Sequence, residues 1–259
     1  MYSLHIIKIG GAIINDRQAL EATLADIAHL SGPKILVHGG GKVANQWLSR
    51  LGIQPRMVAG RRITDDETIE VVAMTYAGLL NKRIVSQLHK FGCPAVGLSG
   101  ADGNVIQAVK RIHPTIDFGW VGDIVSINAT FLHVLIEKGL MPVLCPITHD
   151  NDGHLLNTNA DTIATRVSIA LSDDYEVNLW LCLDLPGVLS DVSDKSSVVK
   201  TLDTASYQSM AAAGSISKGM IPKIDNALDA LKEGVQKVYI THADSLKNLK
   251  EPNGTRICL

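Results

Sequence analysis

The chain has 259 residues, of which 46% are hydrophobic and 19% charged, and its formal net charge is -2. That is ample apolar material for a packed core and excludes disorder; the near-balanced charge leaves no electrostatic footprint for nucleic acid or an anionic membrane. No apolar run reaches the roughly 18–20 residues that a bilayer span needs, and the opening Met1–Lys8 reads as a first strand rather than a cleaved leader.

Leu4–Ile9 is an apolar run ending in Gly10-Gly11, as a buried strand would. Asp16–Leu30 carries Leu20, Leu24, Ile27 and Leu30 at intervals of 4, 3 and 3, which is helical spacing. Lys34–Val37 predicts a second strand, followed by Gly39-Gly40-Gly41 and a helix over Val43–Leu51. Helix then strand recurs at Asp65–His89 and Pro94–Leu98, at Asn128–Lys138 and Pro142–Ile147, and at Ala160–Leu171 and Val177–Cys182. Gly219–Glu233 and Val238–Ile240 form the last pair. This alternation argues for an α/β sandwich around a mostly parallel sheet.

Two stretches interrupt the pattern. Asn104–Val125 is rich in β-formers and reads as short antiparallel strands, a lid or a hairpin. Asp150-Asn151-Asp152-Gly153 reads as a hairpin turn between Cys145–Thr148 and His154–Leu156. It is not a calcium loop: Leu155 stands where that loop requires glycine, and the closing glutamate is missing. Ser190–Ser197 is a polar loop, and Ser172–Glu176 is a soft boundary. Cys93, Cys145, Cys182 and Cys258 form no C-x-x-C pair and sit among apolar neighbours, so they are expected to be buried free thiols without disulfide or zinc.

The two glycine runs are the most informative local feature. Each follows a buried strand and precedes a helix, where backbone can approach a ligand and unpaired N–H groups favour an anion. A tight strand-to-helix turn would explain either run alone. Two runs, with Lys8 beside one, favour a phosphate or carboxylate. A lysine near the end of an apolar strand is costly unless an ionised group meets it. Gly39-Gly40-Gly41-Lys42 does not fit the P-loop, no G-x-G-x-x-G follows the first strand, and protein-kinase signatures are missing.

Taken in order, the motifs resemble the amino-acid kinase family over essentially the whole chain. Lys8-Ile9-Gly10-Gly11 and Val37-His38-Gly39-Gly40-Gly41 are similar to its two N-terminal signatures. Gly60-Arg61-Arg62-Ile63-Thr64, Gly97–Asn104, Gly119–Asp123 and Asn157-Thr158-Asn159-Ala160-Asp161 resemble segments of its N-acetylglutamate kinases. Gly219-Met220-Ile221-Pro222-Lys223 and Gly254-Thr255-Arg256-Ile257 are similar to its C-terminal elements.

The resemblance implies a three-layer αβα sandwich around a mostly parallel open sheet. Residues 1–172 would form a lobe for acyl-glutamate binding and dimerisation, and residues 173–259 a nucleotide-binding lobe. It implies transfer of phosphate from ATP, with Mg2+, to the side-chain carboxylate of an N-acyl-L-glutamate in arginine biosynthesis. Lys8, Asp161 and Lys223 would be catalytic, with Asp161 orienting both lysines. Gly11 would face the transferred phosphate, Gly40 and Gly41 would offer N–H groups to the acid, and Arg62 would grip its α-carboxylate. Asn157 would hydrogen-bond the acid, with Asn159 supporting. Asp184, Leu185, Pro186, Gly187, Val188 and Leu189, with Ser215, Ile216 and Ser217, would bind nucleotide, and no protein ligand to the metal is assigned.

Leu183 stands where relatives carry Thr or Ser, and Lys218 where many carry Gly or Asp; Lys218 is expected to face solvent. The Ser172–Asn178 connection looks longer than in compact members of the family. Hexameric, arginine-inhibited relatives have an extra N-terminal helix. A first strand starting near residue 4 is therefore expected to go with a homodimer without arginine feedback, and the resemblance separately implies a cytoplasmic location. The acyl group, acetyl or succinyl, stays open, because a succinyl carboxylate would need an additional basic pocket residue. Two other readings stand beside this one: a family member acting on another carboxylate or carbamate, and a catalytically silent metabolite sensor, against which Lys8, Asp161 and Lys223 argue.

Overall fold

The computed structural model describes residues 2–58, 60–217, 219–249 and 252–259; Lys218 lies outside the described residues. An eight-stranded sheet runs, edge to edge, through Thr201–Leu202, Gly254–Ile257, Lys237–His242, Tyr175–Leu183, Tyr2–Ile9, Lys34–His38, Met141–Leu144 and Ala95–Leu98. Among the described residues its one antiparallel pairing joins Lys237–His242 to Gly254–Ile257.

Helices cover both faces, which is why the central strands are continuous apolar runs. The pleat sends alternate side chains to opposite layers. Leu4 and Ile6 enter one core with Ile163 and Val167 of the helix Ala160–Ala170 and Ile224 of the helix Ile221–Lys232. Ile7 and Ile9 enter the other, with Leu24 of Arg17–His29 and Ile84 of Asn81–Lys90. Each large aliphatic side chain buried this way contributes about 1.5–3 kcal/mol. This is the expected three-layer sandwich.

A four-stranded sheet, ordered Leu155–Asn157, Ile147–His149, Ile106–Lys110 and Gly122–Ile127, grows from the carboxyl ends of the main strands. The hairpin turn at 150–153 and the antiparallel reading of Asn104–Val125 both match it. A small hairpin pairs Met57–Val58 with Arg61–Arg62.

Three local expectations change. Pro142–Ile147 is not one strand: the main-sheet strand ends at Leu144, and after Cys145-Pro146 the chain crosses into the small sheet. Proline has no N–H to continue a ladder. Asp65–His89 is not one α-helix: Asp66–Ala73 passes into a π-helical stretch, Met74–Leu80, before Asn81–Lys90. The helix Ala160–Ala170 and the strand Tyr175–Leu183 are joined by the turn Leu171–Asp174. All four cysteines are free, but Cys258 is only partly buried.

Candidate active site

The chain order reverses beside the first strand. Lys34–His38 lies on one side of Tyr2–Ile9, and the chain later returns to place Tyr175–Leu183 on the other. Open α/β sheets bind ligands at such a switch point, at the carboxyl ends of the strands. Lys8 sits there. The pleat places it on the face of Leu4 and Ile6, toward the helix Ala160–Ala170, whose second residue is Asp161.

Lys8 Nζ lies 2.7 Å from Asp161 Oδ1, and Lys223 Nζ donates to Asp161 Oδ2 at 2.8 Å. Each carboxylate oxygen of Asp161 thus faces one ammonium group. Burial alone would push the Asp161 carboxyl up, but the charges of Lys8 and Lys223 outweigh it and hold the group down at about 2. Asn159 caps the helix, accepting from the N–H groups of Asp161 and Thr162 at 2.8 and 3.1 Å, which fixes the carboxylate's position. Two ammonium groups therefore share one carboxylate. The surplus positive charge is nearly buried, since the Lys8 side chain is 8% exposed and that of Lys223 24%. Such a surplus calls for an anion.

A cavity of about 230 Å³ opens beside this cluster. Lys8, Gly11 and Asp161 line one part of its wall, and Gly40, Gly41 and Arg62 another. The helix Gly41–Arg50 begins here with no side-chain cap, leaving its first-turn N–H groups available to a ligand. Gly40 has φ +153, and a Cβ there would come within 2.4 Å of Leu80 Cδ1 and 3.2 Å of the Tyr76 ring. The π-helical stretch thus packs directly against the glycine run. Arg62 is 6% exposed and donates from Nη2 to the Gly41 carbonyl at 3.1 Å. Its Nη1 is buried without a partner. An orphaned guanidinium nitrogen on a cavity wall suits a carboxylate.

Three segments far apart in sequence are knitted together around this cavity. Thr64 N donates to Phe118 O at 2.9 Å, and Asn157 N to Trp120 O at 2.8 Å. Asn157 Nδ2 donates to Thr64 Oγ1 at 3.0 Å. Gly119, at φ +67, admits this approach; a Cβ there would stand 2.1 Å from the Thr64 carbonyl oxygen. The Gly60–Thr64, Gly119–Asp123 and Asn157–Asp161 motifs are therefore one physical unit.

Lys8, Asp161 and Lys223 come together, and Gly11, Gly40, Gly41, Arg62, Asn157 and Asn159 line the same cavity. The segments Asp184–Leu189 and Ser215–Ser217 do not line it. They follow the strand Tyr175–Leu183 and precede the helix that carries Lys223, and Leu183, Val188, Ile216 and Met220 share one core cluster. Val188, Leu189 and Ile216 are buried, so these three side chains serve the core. Tyr76 and Thr64 belong to the site but were missed: Tyr76 sits in an apolar helical pattern, and Thr64 stood only at the end of a quoted motif. His38, in another quoted motif, carried no assigned role. It is fully buried, with Nδ1 2.8 Å from Gly39 O and Nε2 3.3 Å from Asn81 Nδ2.

Comparison with known proteins agrees with this architecture. The chain is 47% identical over 256 residues to the acetylglutamate kinase of Cytophaga hutchinsonii, covering 98% of this chain and 97% of that one. Among solved structures, smu.665 of Streptococcus mutans UA159 is 27% identical with a TM-score of 0.78, covering 98% of both chains. The N-acetylglutamate synthase of Neisseria gonorrhoeae, bound to coenzyme A and N-acetyl-glutamate, superposes with a TM-score of 0.82 at 21% identity. It shares the fold over 100% of this chain and 59% of its own. The sequence profile of the amino acid kinase family matches residues 3–242, and the chain belongs to that family.

Proposed function

We propose that the protein transfers the γ-phosphoryl group of ATP to the side-chain carboxylate of an N-acyl-L-glutamate, as an acetylglutamate kinase serving arginine biosynthesis. The observation that carries this reading is that Lys8 and Asp161, the latter also paired to Lys223, line one cavity with Arg62, whose Nη1 is unpartnered. The names of relatives up to 47% identical support the same substrate.

The chemistry fits the residues. A glutamate side chain, with a pKa of about 4.3, is already ionised at neutral pH, so no general base is required. Asp161, held at about 2, is no base; it positions two ammonium groups. A carboxylate oxygen of the acid bonds to the γ-phosphorus while the bond to the β–γ bridging oxygen breaks, and that electron pair leaves with ADP. Catalysis is then positioning plus positive charge around the transferring group. Lys8 faces the attacking side and Lys223 the leaving side. Gly11 faces the phosphoryl group, while Gly40, Gly41, Arg62 and Asn157 hold the acid. Residues 173–259, through Asp184–Leu189 and Ser215–Ser217, hold the nucleotide; residues 1–172 hold the acid and pair two copies into a cytoplasmic homodimer.

Among the described residues no three His, Cys, Asp or Glu side chains gather as a metal site, and both Asp161 oxygens face ammonium groups. Magnesium therefore enters with the nucleotide, as MgATP.

The test is ADP release with N-acetyl-L-glutamate in the presence of hydroxylamine. One hydroxamate per ADP is expected, because an acyl phosphate acylates hydroxylamine. ADP without hydroxamate, or no turnover with either N-acetyl- or N-succinyl-L-glutamate, overturns the reading.

A further inference from the structure

The cavity contains one more cation than an N-acetylglutamate would use. Met57, Gly60, Arg61 and Val121 also line it. Arg61 and Arg62 are neighbours on a short strand, so the pleat turns them to different sides. Arg62 is buried against Gly41, whereas Arg61 is half-buried. Among the described residues Arg61 enters no ion pair.

The nearby carboxylate is already taken. Asp123 accepts from Arg111 Nε at 3.1 and 3.0 Å through its two oxygens, and Arg111 Nη2 also contacts it. Burial and the Arg111 charge both disfavour the Arg61 cation, and Asp123 offsets them only in part. A guanidinium on a cavity wall, beside a second guanidinium and without a carboxylate of its own, is matched by an anionic ligand.

The charges of the substrate can be assigned in turn. The side-chain carboxylate belongs at Lys8, where phosphate is transferred, and the α-carboxylate at Arg62. An acetyl group brings no further charge. A dicarboxylic acyl group brings one, beyond a short methylene chain, and Met57 and Val121 give the same cavity apolar lining for those methylenes.

We infer that the part of the cavity lined by Arg61 is an acyl-carboxylate subsite in which Arg61 selects an N-acyl-glutamate whose acyl group ends in a carboxylate, of the succinyl class. This inference rests on the acyl-glutamate kinase reading above. It accepts the same nucleophile and the same reaction, and changes only which acyl group is preferred.

The experiment compares kcat/KM for N-succinyl- and N-acetyl-L-glutamate, in wild type and in Arg61→Leu and Arg61→Lys, with circular dichroism as the folding control. Wild type is expected to favour the succinyl acid by tenfold or more. Arg61→Leu lowers the succinyl-to-acetyl ratio at least threefold, and Arg61→Lys, which keeps the charge, retains a higher ratio than the leucine variant. The wild-type preference also falls as salt rises, since a partly exposed pair is screened. A wild-type ratio below ten overturns the inference without recourse to a variant. So does a ratio that Arg61→Leu changes less than threefold; if the leucine variant does not fold, the lysine variant must shift the ratio by the same factor. Turnover of the acetyl acid alone sinks this subsite and leaves the kinase reading intact. Turnover of neither acid sinks both.

Discussion

His38 and Asn81 meet beneath the glycine run, with the imidazole Nε2 3.3 Å from the amide nitrogen of Asn81. The same amide nitrogen donates to Val143 O at 2.9 Å, and His38 Nδ1 lies 2.8 Å from Gly39 O. A neutral ring with its proton on Nδ1 satisfies both contacts: it donates to the carbonyl and accepts from the amide. One buried pair thus ties the end of a central strand, the neighbouring strand and the loop lining the cavity.

That arrangement predicts acid sensitivity. Burial lowers the His38 pKa from 6.5 to about 4. Between those values the unfolded chain binds a proton that the folded chain refuses, so stability rises with pH across the window and is lost as pH falls. The loss from His38 reaches about 3 kcal/mol by pH 4, at about 1.36 kcal/mol per unit. Urea melts from pH 7 to pH 4 should show this decline, and the non-titrating His38→Gln should flatten it. An equally steep decline in the variant would assign the effect elsewhere.

Asp161→Asn separates a positioning carboxylate from a base. The variant leaves two ammonium groups together without a counter-charge, which should destabilise the fold by about 3–5 kcal/mol, the usual cost of breaking a buried pair. Sulfate or MgATP should recover part of the loss, because either supplies the missing anion. kcat should fall, but its pH profile between 6 and 8 should keep its shape, since a group held at about 2 does not titrate there. A profile that loses an ionisation would mean that Asp161 moves a proton after all.

Lys8→Ala and Arg62→Ala should split kinetically. In the proposed mechanism Lys8 meets charge that develops during transfer, so its loss should lower kcat by about 10²–10³ with a small change in KM. Arg62, on the same proposal, touches a part of the acid that does not react. Its loss should raise KM for the acid by about 10- to 100-fold and spare kcat. Steady-state kinetics with the acid varied at saturating MgATP would decide; an unchanged kcat in Lys8→Ala would sink the proposed mechanism.

Much of this site was legible because its motifs are short and local. Lys8 stood out as a charge in an apolar strand, and Asn159 and Asp161 as the opening of a helix. The layers followed from alternating apolar runs, since strands buried on both faces lose their polar alternation. What did not show was contact between distant segments. His38 and Asn81 are 43 residues apart, and Thr64 and Asn157 are 93 apart. No periodicity reports such a meeting. The π-helical Met74–Leu80 was hidden for a related reason: its residues continue an apolar helical pattern, and the extra residue per turn appears only when Tyr76 and Leu80 are seen against Gly40. Arg61 was read merely as part of a motif, because its lack of a partner is a property of the folded neighbourhood.

The contact between the π-helical stretch and the glycine run supplies the last prediction. A Cβ at residue 40 would meet Leu80 Cδ1 at 2.4 Å, which something must relieve, and φ +153 is strained for any side chain. Gly40→Ala should therefore cost about 1–3 kcal/mol by overpacking and raise KM for the acid, because the displaced loop carries the N–H groups offered to it. Leu80→Ala alone should cost about 2–5 kcal/mol through the cavity it leaves. Combined, the two changes should cost less than their sum, because the new methyl occupies space that the lost side chain vacates. Denaturant melts of the four proteins give the coupling, and about 1 kcal/mol or more of mutual relief is expected. Strict additivity would show that the penalty at residue 40 is backbone strain alone, and that the π-helical stretch does not set the position of the loop.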